Sequence, residues 1–213
     1  MFELFDHQVP ETCENFRALC TGEISKELTY KDTRIHRIVR EFMMQGGDNS
    51  NGEPGKGGKG IYKEGDTIFN KDGFFDDENI WYPHSHAGVL SMAALEGKKN
   101  QNGSQFCISL REDNQYFEEK NTVIGRVIKG LDFILGLQHN CEIKEEKPVR
   151  PLMITSCGEL TFGDKLTKEQ AVDLDAYIVT EKMERGLQQR RDYKKKHQEA
   201  YEKQLRERDE RMK

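Results

Sequence analysis

The stretch that decides the fold is residues 35–48, which read IHRIVREFMMQGGD. Two short apolar runs, at 34–39 and 42–45, are separated by a short polar step, and this pattern predicts two strands joined by a turn. The stretch leads into residues 46–60, where seven of the fifteen positions are glycine. Because so much glycine cannot pack a core, this segment is predicted to be a loop.

Further short elements surround this stretch on both sides. A helix is predicted to open at residues 9–12 and to end near Gly22, and residues 131–135 predict a short second helix. Strand-like runs recur along the chain at 1–5, 88–93, 105–110, 122–128 and 152–157. Many short strands with few helices predict a mainly β domain, either a barrel or a sandwich.

Composition and charge exclude several classes of function. The chain has 213 residues and a formal net charge of −5, so no nucleic-acid partner and no membrane surface are expected. No apolar run approaches the roughly 18 residues that span a bilayer. The five cysteines are odd in number and lack metal-ligand spacing, which predicts free thiols in a reducing compartment and no metal site.

Residues 35–48 resemble the cyclophilin signature, in which a histidine–arginine pair leads into phenylalanine, methionine, glutamine and a double glycine. Other segments match that family in the same order, at 15–19, 57–62, 77–79, 88–93, 102–106 and 157–160. The resemblance therefore covers residues 1–160. It implies a mainly β fold, an eight-stranded antiparallel barrel capped by two helices, with a groove for proline-containing peptides on its outer surface.

The resemblance also implies the chemistry, which is peptidyl-prolyl cis–trans isomerisation without a cofactor. Rotation about an X–Pro bond has a barrier of about 18–20 kcal/mol because the amide is resonance-stabilised. Arg37 stands where the family places an arginine that donates a hydrogen bond to the prolyl nitrogen as resonance is lost. The substrate-binding positions implied are Phe42, Met43, Gln45, Ala93, Gln105, Cys107, Tyr116, Phe117 and Asn121.

Each of these residues has a plainer interpretation when it is taken alone. Arg37 would be a surface salt-bridge residue, and Phe42 and Met43 would be ordinary core. The functional interpretation is favoured because several segments match the family together and in the same order.

Several positions depart from the family pattern. Cys107 stands where the family usually has a second phenylalanine, and Asn121 where a histidine is typical. Tyr116 and Phe117 replace a tryptophan and a leucine. The match also begins after the family's first strand, so an exposed sheet edge is expected, which a preceding segment or another chain would cover. The arginine is therefore kept while much of the pocket around it is changed.

The sequence after the matched region has a different character. Residues 1–160 are predicted to form the cyclophilin-like domain, 161–166 a linker, and 167–213 a long charged α-helix that opens with a capping box. Apolar residues at helical spacing predict a partner-binding face formed by Val172, Val179, Met183 and Leu187. A charged helix that stands alone in water is the alternative.

Two hypotheses about function remain open at this point. The first is an active isomerase, or a proline-peptide-binding domain, tethered to a larger assembly by its tail. The second is a catalytically weak cyclophilin that serves as a structural subunit, by analogy with those of ciliary radial spokes and spliceosomes. Either setting implies an intracellular location, which would be cytoplasmic, axonemal or nuclear.

Overall fold

The computed structural model describes residues 1–66, 68–70, 73–80 and 82–160. The predicted linker and helical tail, with the four residues of the partner-binding face, lie outside the described residues. No helix within the described ranges is both long and apolar enough to cross a membrane.

The described part of the chain contains two α-helices and nine short strands. The helices are α1 (Pro10–Thr21) and α2 (Leu131–Asn140). The strands are β1 (Phe2–Leu4), β2 (Arg34–Val39), β3 (Met43–Gly46), β4 (Val89–Met92), β5 (Phe106–Ser109), β6 (Val123–Val127), β7 (Ile143–Lys144), β8 (Lys147–Pro148) and β9 (Leu152–Met153). Single 3₁₀ turns lie at Leu95–Gly97 and Gln115–Phe117.

Seven of these strands form one antiparallel sheet in the order β1-β6-β4-β5-β3-β2-β9, and β7 pairs with β8 in a separate hairpin. The deciding stretch forms the β2–β3 pair, with Ile38 opposite Met44 and Val39 opposite Met43. The predicted strand pair, the mainly β class and the two helices are therefore confirmed.

The sheet is not the closed eight-stranded barrel that the resemblance implied. Within the described residues, the outer strands pair on one side only, β1 with β6 and β9 with β2. The run at 152–157 forms a strand only at Leu152–Met153, and Ile154 follows it with backbone hydrogen bonds to Asp32 and Thr33. A barrel closes only when neighbouring strands pair all the way round, so the two outer strands leave this sheet open.

Alternation along the strands separates an inner, helix-covered face from an outer face. The main inner cluster joins Phe16 and Leu19 of α1 to Leu90, Phe106 and Ile124 of the sheet. A second inner cluster, around Ile38, Met44 and Leu110, packs against α2 through Ile134, Leu135 and Leu137. The residues between these inward positions point to the opposite face, where the candidate site lies.

Helix α1 is held at both ends by identifiable hydrogen bonds. At its start the Glu78 carboxylate accepts from the Thr12 N–H and hydroxyl, both at 2.9 Å, so a distant side chain replaces a local cap. At its end Gly22 has a φ of 68° and its N–H donates to the Ala18 carbonyl at 2.8 Å. The predicted glycine cap is therefore confirmed.

Candidate active site

A row of four residues crosses the outer face of the sheet. Arg37 lies opposite Gln45, Gln45 opposite Cys107, and Cys107 opposite Ser91. Directly opposite residues of antiparallel strands point to the same face and lie within side-chain contact distance. The register of four strands therefore brings the predicted catalytic arginine into line with one predicted glutamine and the predicted cysteine.

Arg37 is held by an acidic residue of the β7–β8 hairpin. Its Nε donates to Glu146 Oε2 at 2.7 Å, and its Nη2 lies 2.7 Å from the same oxygen. Both side chains are about half exposed, at 43% for Arg37 and 49% for Glu146. Arg37 thus forms the surface ion pair that its plainer interpretation predicts. It also lies in line with the other predicted site residues.

Two amides connect this row to the glycine-rich loop. Gln45 Nε2 donates to Gln105 Oε1 at 2.7 Å, and Gln105 Nε2 donates to the Gly57 carbonyl at 2.7 Å. Gln105 is buried, so its amide orientation is fixed by these two bonds. The two predicted glutamines are therefore brought together next to Arg37.

The loop that carries Gly57 is organised around one carboxylate. Asp48 accepts from the Ser50 N–H at 2.9 Å, the Gly55 N–H at 2.7 Å and the Gly57 N–H at 3.2 Å. Burial alone would raise the pKa of Asp48, but the hydrogen bonds from Ser50, Gly55 and Gly57 bring it below its usual value. An ionised Asp48 therefore fixes the loop against the glutamine pair.

An apolar cluster lies beside the polar row. Its buried members are Met43, Ala93, Cys107 and Phe117, and Val39 and Phe42 pack against them. The rings of Phe42 and Phe117 are stacked, with centroids 5.1 Å apart and an interplanar angle of 15°.

Tyr116 forms the exposed rim of that cluster. Its side chain is 65% exposed, and its ring meets Phe42 edge-on at 5.3 Å. The Lys120 ammonium lies 4.2 Å from the centre of the tyrosine ring, a cation–π contact. Asn121 lies next to this rim, where its backbone N–H donates to the Phe117 carbonyl at 3.3 Å. Its side-chain Nδ2 donates to the Met92 carbonyl at 2.7 Å, so one of its two side-chain N–H groups is already hydrogen-bonded to strand β4.

Cys107 behaves as an apolar residue. It is buried, and burial raises the pKa of its thiol to about 12, so the neutral form prevails at neutral pH. Phe117 packs with Cys107 in the same apolar cluster.

Three residues near the site were not found from the sequence. Glu146 lies in a two-residue hairpin loop that carries no turn signal. Ser91 belongs to a matching segment, and the alternation of strand β4 could have placed it on the outer face. His84 is fully buried beneath Phe117, with ring centroids 5.1 Å apart. It stands in a polar segment that predicted no site.

The site is separate from the one cavity described here and, among the described residues, from any group placed to bind a metal. Among the described residues, no group of three His, Cys, Asp or Glu side chains is placed to hold a metal ion. A cavity of about 850 Å³ lies elsewhere, between the end of α1 and the glycine-rich loop, with Lys31, His36 and Asn49 in its wall. The candidate site lies on the outer face of the sheet, and its residues do not line that cavity.

The outer face of the antiparallel sheet thus carries an arginine, two glutamines and an apolar cluster. Residues 1–159 match the family model described as cyclophilin type peptidyl-prolyl cis-trans isomerase/CLD. The chain belongs to this family, whose members are peptidyl-prolyl isomerases.

Solved structures of the same family are similar to the chain. One is a cyclophilin type peptidyl-prolyl cis-trans isomerase of Cryptosporidium parvum, crystallised in the presence of the dipeptide Ala-Pro. It has a TM-score of 0.62 and 32% identity over 76% of this chain and 92% of that chain. A second crystal structure of that enzyme has the same TM-score of 0.62 and identity of 32%, over 76% of this chain and 90% of the other.

Proposed function

We propose that this chain binds proline-containing peptides on the outer face around Arg37 and catalyses cis–trans isomerisation of their X–Pro bonds. The observation that carries the proposal is the cross-strand row, because it places a guanidinium donor beside two amides and a buried apolar cluster. Family membership supports the reaction class. The Cryptosporidium relative crystallised in the presence of Ala-Pro supports the ligand class.

The arrangement suits a reaction that makes and breaks no covalent bond. As the X–Pro amide twists, its nitrogen gains lone-pair character and becomes a hydrogen-bond acceptor. An N–H of Arg37 directed at that nitrogen stabilises the twisted state more than either planar state, which is the requirement for catalysis. The cluster of Met43, Cys107 and Phe117 would hold the proline ring while the preceding carbonyl rotates.

Replacing the arginine tests the proposal directly. Arg37→Ala should lower kcat/KM for an Ala-Pro peptide by roughly 100-fold, because one transition-state donor is lost. The matched control is Arg34→Ala, since Arg34 is an exposed arginine of the same strand. Exchange spectroscopy by NMR on the peptide measures the rate without a coupled protease. Equal rates for the Arg37→Ala variant and wild type would refute the proposed role of Arg37.

A second candidate function is peptide binding without turnover, in a structural subunit. Cys107 and Asn121 favour it, because they stand where the resemblance implies a phenylalanine and a histidine, so the pocket around Arg37 is altered. Titration of the peptide against labelled protein separates the two candidates. Shifts at Gln45 and Met43 without accelerated exchange would support this second candidate and exclude the first.

Under either candidate, we propose that residues 167–213 tether the domain to an intracellular assembly in the cytoplasm, axoneme or nucleus. The spacing of apolar residues in that segment and its alternating charges support the proposal.

A further inference from the structure

The hairpin that contacts Arg37 has an unusual turn. Strands β7 and β8 pair Lys144 with Lys147, so only Glu145 and Glu146 form the loop. Both have positive φ, 50° and 63° respectively. Two-residue hairpin loops with positive φ at both positions strongly favour asparagine and glycine, and longer side chains are strained there. Two glutamates at these positions are therefore not explained by the turn itself.

The backbone of the same loop is docked on strand β2. The Glu146 carbonyl accepts a hydrogen bond from the Ile38 N–H at 2.7 Å, one residue after Arg37. Ile143, at the start of the hairpin, packs against the inner cluster of Ile38 and Met44. The hairpin is thus attached by its backbone and by an apolar side chain, neither of which needs a carboxylate at position 146.

The carboxylate of Glu146 engages one particular edge of the guanidinium. A single oxygen, Oε2, takes the N–H groups of Nε and Nη2. A guanidinium has five N–H groups in a rigid plane, so this contact leaves the terminal edge, formed by Nη1 and the second N–H of Nη2. Within the described residues no side chain or carbonyl accepts from Nη1, and that edge stays available to a substrate.

We propose that Glu146 is a positioning residue, which holds Arg37 by its Nε edge so that the terminal edge is presented to the prolyl nitrogen. The proposal rests on the proposed isomerase function. A half-exposed ion pair adds little to folding stability, and the strained loop favours glycine, so the glutamate is better explained by its effect on Arg37. A carboxylate that blocked catalysis would instead take the terminal edge.

The test compares two substitutions in the same loop. Glu146→Gly removes the carboxylate and relieves the positive φ, while the Ile38 N–H bond to the backbone carbonyl is retained. Glu145→Gly relieves the neighbouring positive φ without touching Arg37. We expect kcat to fall by roughly 3- to 10-fold in Glu146→Gly, with KM within twofold of wild type, because only orientation in the transition state is lost. Glu145→Gly should keep the wild-type kcat.

Thermal melting separates positioning from a structural role. Both glycine variants should have a Tm equal to or above that of wild type, because each relieves a strained position. Glu146→Gln, which keeps an oxygen acceptor, should recover part of the lost kcat. In proton-exchange NMR, the Arg37 Nε–H should exchange with water faster in Glu146→Gly than in wild type or Glu145→Gly.

The outcomes distinguish this inference from the function on which it rests. Inactive Arg37→Ala together with an unchanged or raised kcat in Glu146→Gly would overturn the positioning role and leave the isomerase function standing. A lowered Tm in Glu146→Gly, but not in Glu145→Gly, would overturn it in favour of a structural role. A wild-type protein that does not accelerate exchange would overturn the proposed function, and the role of Glu146 with it.

Discussion

Cys107 and Phe117 share the apolar cluster of the candidate site, one from a strand and the other from a 3₁₀ turn. Cys107 lies in the cross-strand row between Gln45 and Ser91, and Phe117 packs beside it in the apolar cluster. Cores tolerate paired changes that conserve volume far better than single changes that add atoms. The aromatic volume of the site is therefore supplied from the 3₁₀ turn at Gln115–Phe117, whereas the strand carries the smaller residue.

This shared packing predicts that a larger side chain at position 107 alone is unfavourable. Cys107→Phe should lower the free energy of unfolding by about 1–3 kcal/mol, because Phe117 already fills the space. The double variant with Phe117→Leu should recover most of that loss, since the two side chains share one cluster. Urea unfolding of the two single variants and the double variant measures the coupling. Additive effects would show that residues 107 and 117 do not compete for the same volume.

His84 is buried in a neutral form. Both ring nitrogens lack a hydrogen-bond partner among the described residues, and burial lowers the pKa of the imidazole to about 3. Its Nδ1 lies 3.9 Å from the Glu118 carboxylate, which is too long for a hydrogen bond. A neutral imidazole at that distance does not form an ion pair with Glu118. The main contact of the His84 ring is its packing against Phe117.

The buried imidazole predicts a particular acid sensitivity. Unfolding restores the ordinary His84 pKa of 6.5. Between pH 6.5 and about 3, the imidazole is therefore protonated in the unfolded state and neutral in the folded state. The stability contributed by this group is fully present above pH 6.5 and declines as the pH falls, by up to about 1.4 kcal/mol per unit.

The measurement is urea unfolding of wild type and His84→Leu at several values between pH 7 and pH 4. The wild type should lose stability with acid more steeply than the variant. Burial raises the pKa of the neighbouring Glu118 carboxyl, which acts in the opposite direction, but this contribution is common to both proteins. Parallel pH profiles would contradict the assignment.

At the scale of the elements, the sequence predicted strand positions correctly where neighbouring residues along the chain form the structure, as in the β2–β3 pair. The register that aligns Arg37 with Gln45 follows from two strands with a short turn between them, and the family motif placed both residues. The strand at 152–157 was predicted too long because its apolar pattern continues where backbone pairing as a strand ends. Side-chain alternation does not determine how far a sheet extends.

Helix α2 was predicted too short for a different physical reason. It continues to Asn140, past Gly136, where a sequence pattern favours a stop. The Gln138 carbonyl accepts from Arg40 Nε at 2.9 Å, and its side-chain oxygen accepts from the Glu41 N–H at 2.7 Å. These contacts with the β2–β3 turn stabilise the last turns of the helix. A tertiary contact across about 100 residues has no local signature.

The contact between Arg37 and Glu146 had no local signature either. The motif identified the arginine, but its partner lies 109 residues away in a loop whose residues do not predict a turn. Each glutamate at positive φ is disfavoured by about 1–2 kcal/mol relative to glycine. Long-range partners of motif residues are therefore the part of the site that requires coordinates.

At the scale of the domain, the open sheet leaves two strand edges unpaired among the described residues. The outer strands β1 and β9 each have one edge that pairs with no other strand in the described part of the chain. The candidate site is formed on β2, β3, β4 and β5, which lie in the interior of the sheet. The site is therefore built on strands paired on both sides, and it does not depend on closure at the edges.

The proposed division between an isomerase face and an attachment segment gives the last prediction. The four apolar residues predicted to face a partner, which lie outside the described residues, follow helical spacing from Val172 to Leu187. Full burial of each such side chain would contribute roughly 1.5–3 kcal/mol, whereas a peptide groove that turns over needs only weak binding. We therefore expect Val179→Glu with Leu187→Glu to release the protein from its assembly while isomerase activity and Tm are unchanged.

Co-purification from the native cell, compared with exchange spectroscopy on the isolated protein, measures both halves of this expectation. The matched control replaces two polar residues of the same segment, Gln188→Glu with Gln189→Glu, which adds the same charge at positions that helical spacing places away from the apolar residues. Retention of the doubly charged apolar variant, together with loss of an Arg37→Ala variant from the assembly, would reverse the assignment. The outer face of the sheet would then be the anchor. A face that only binds its peptides weakly and reversibly would not decide whether the protein stays in its complex.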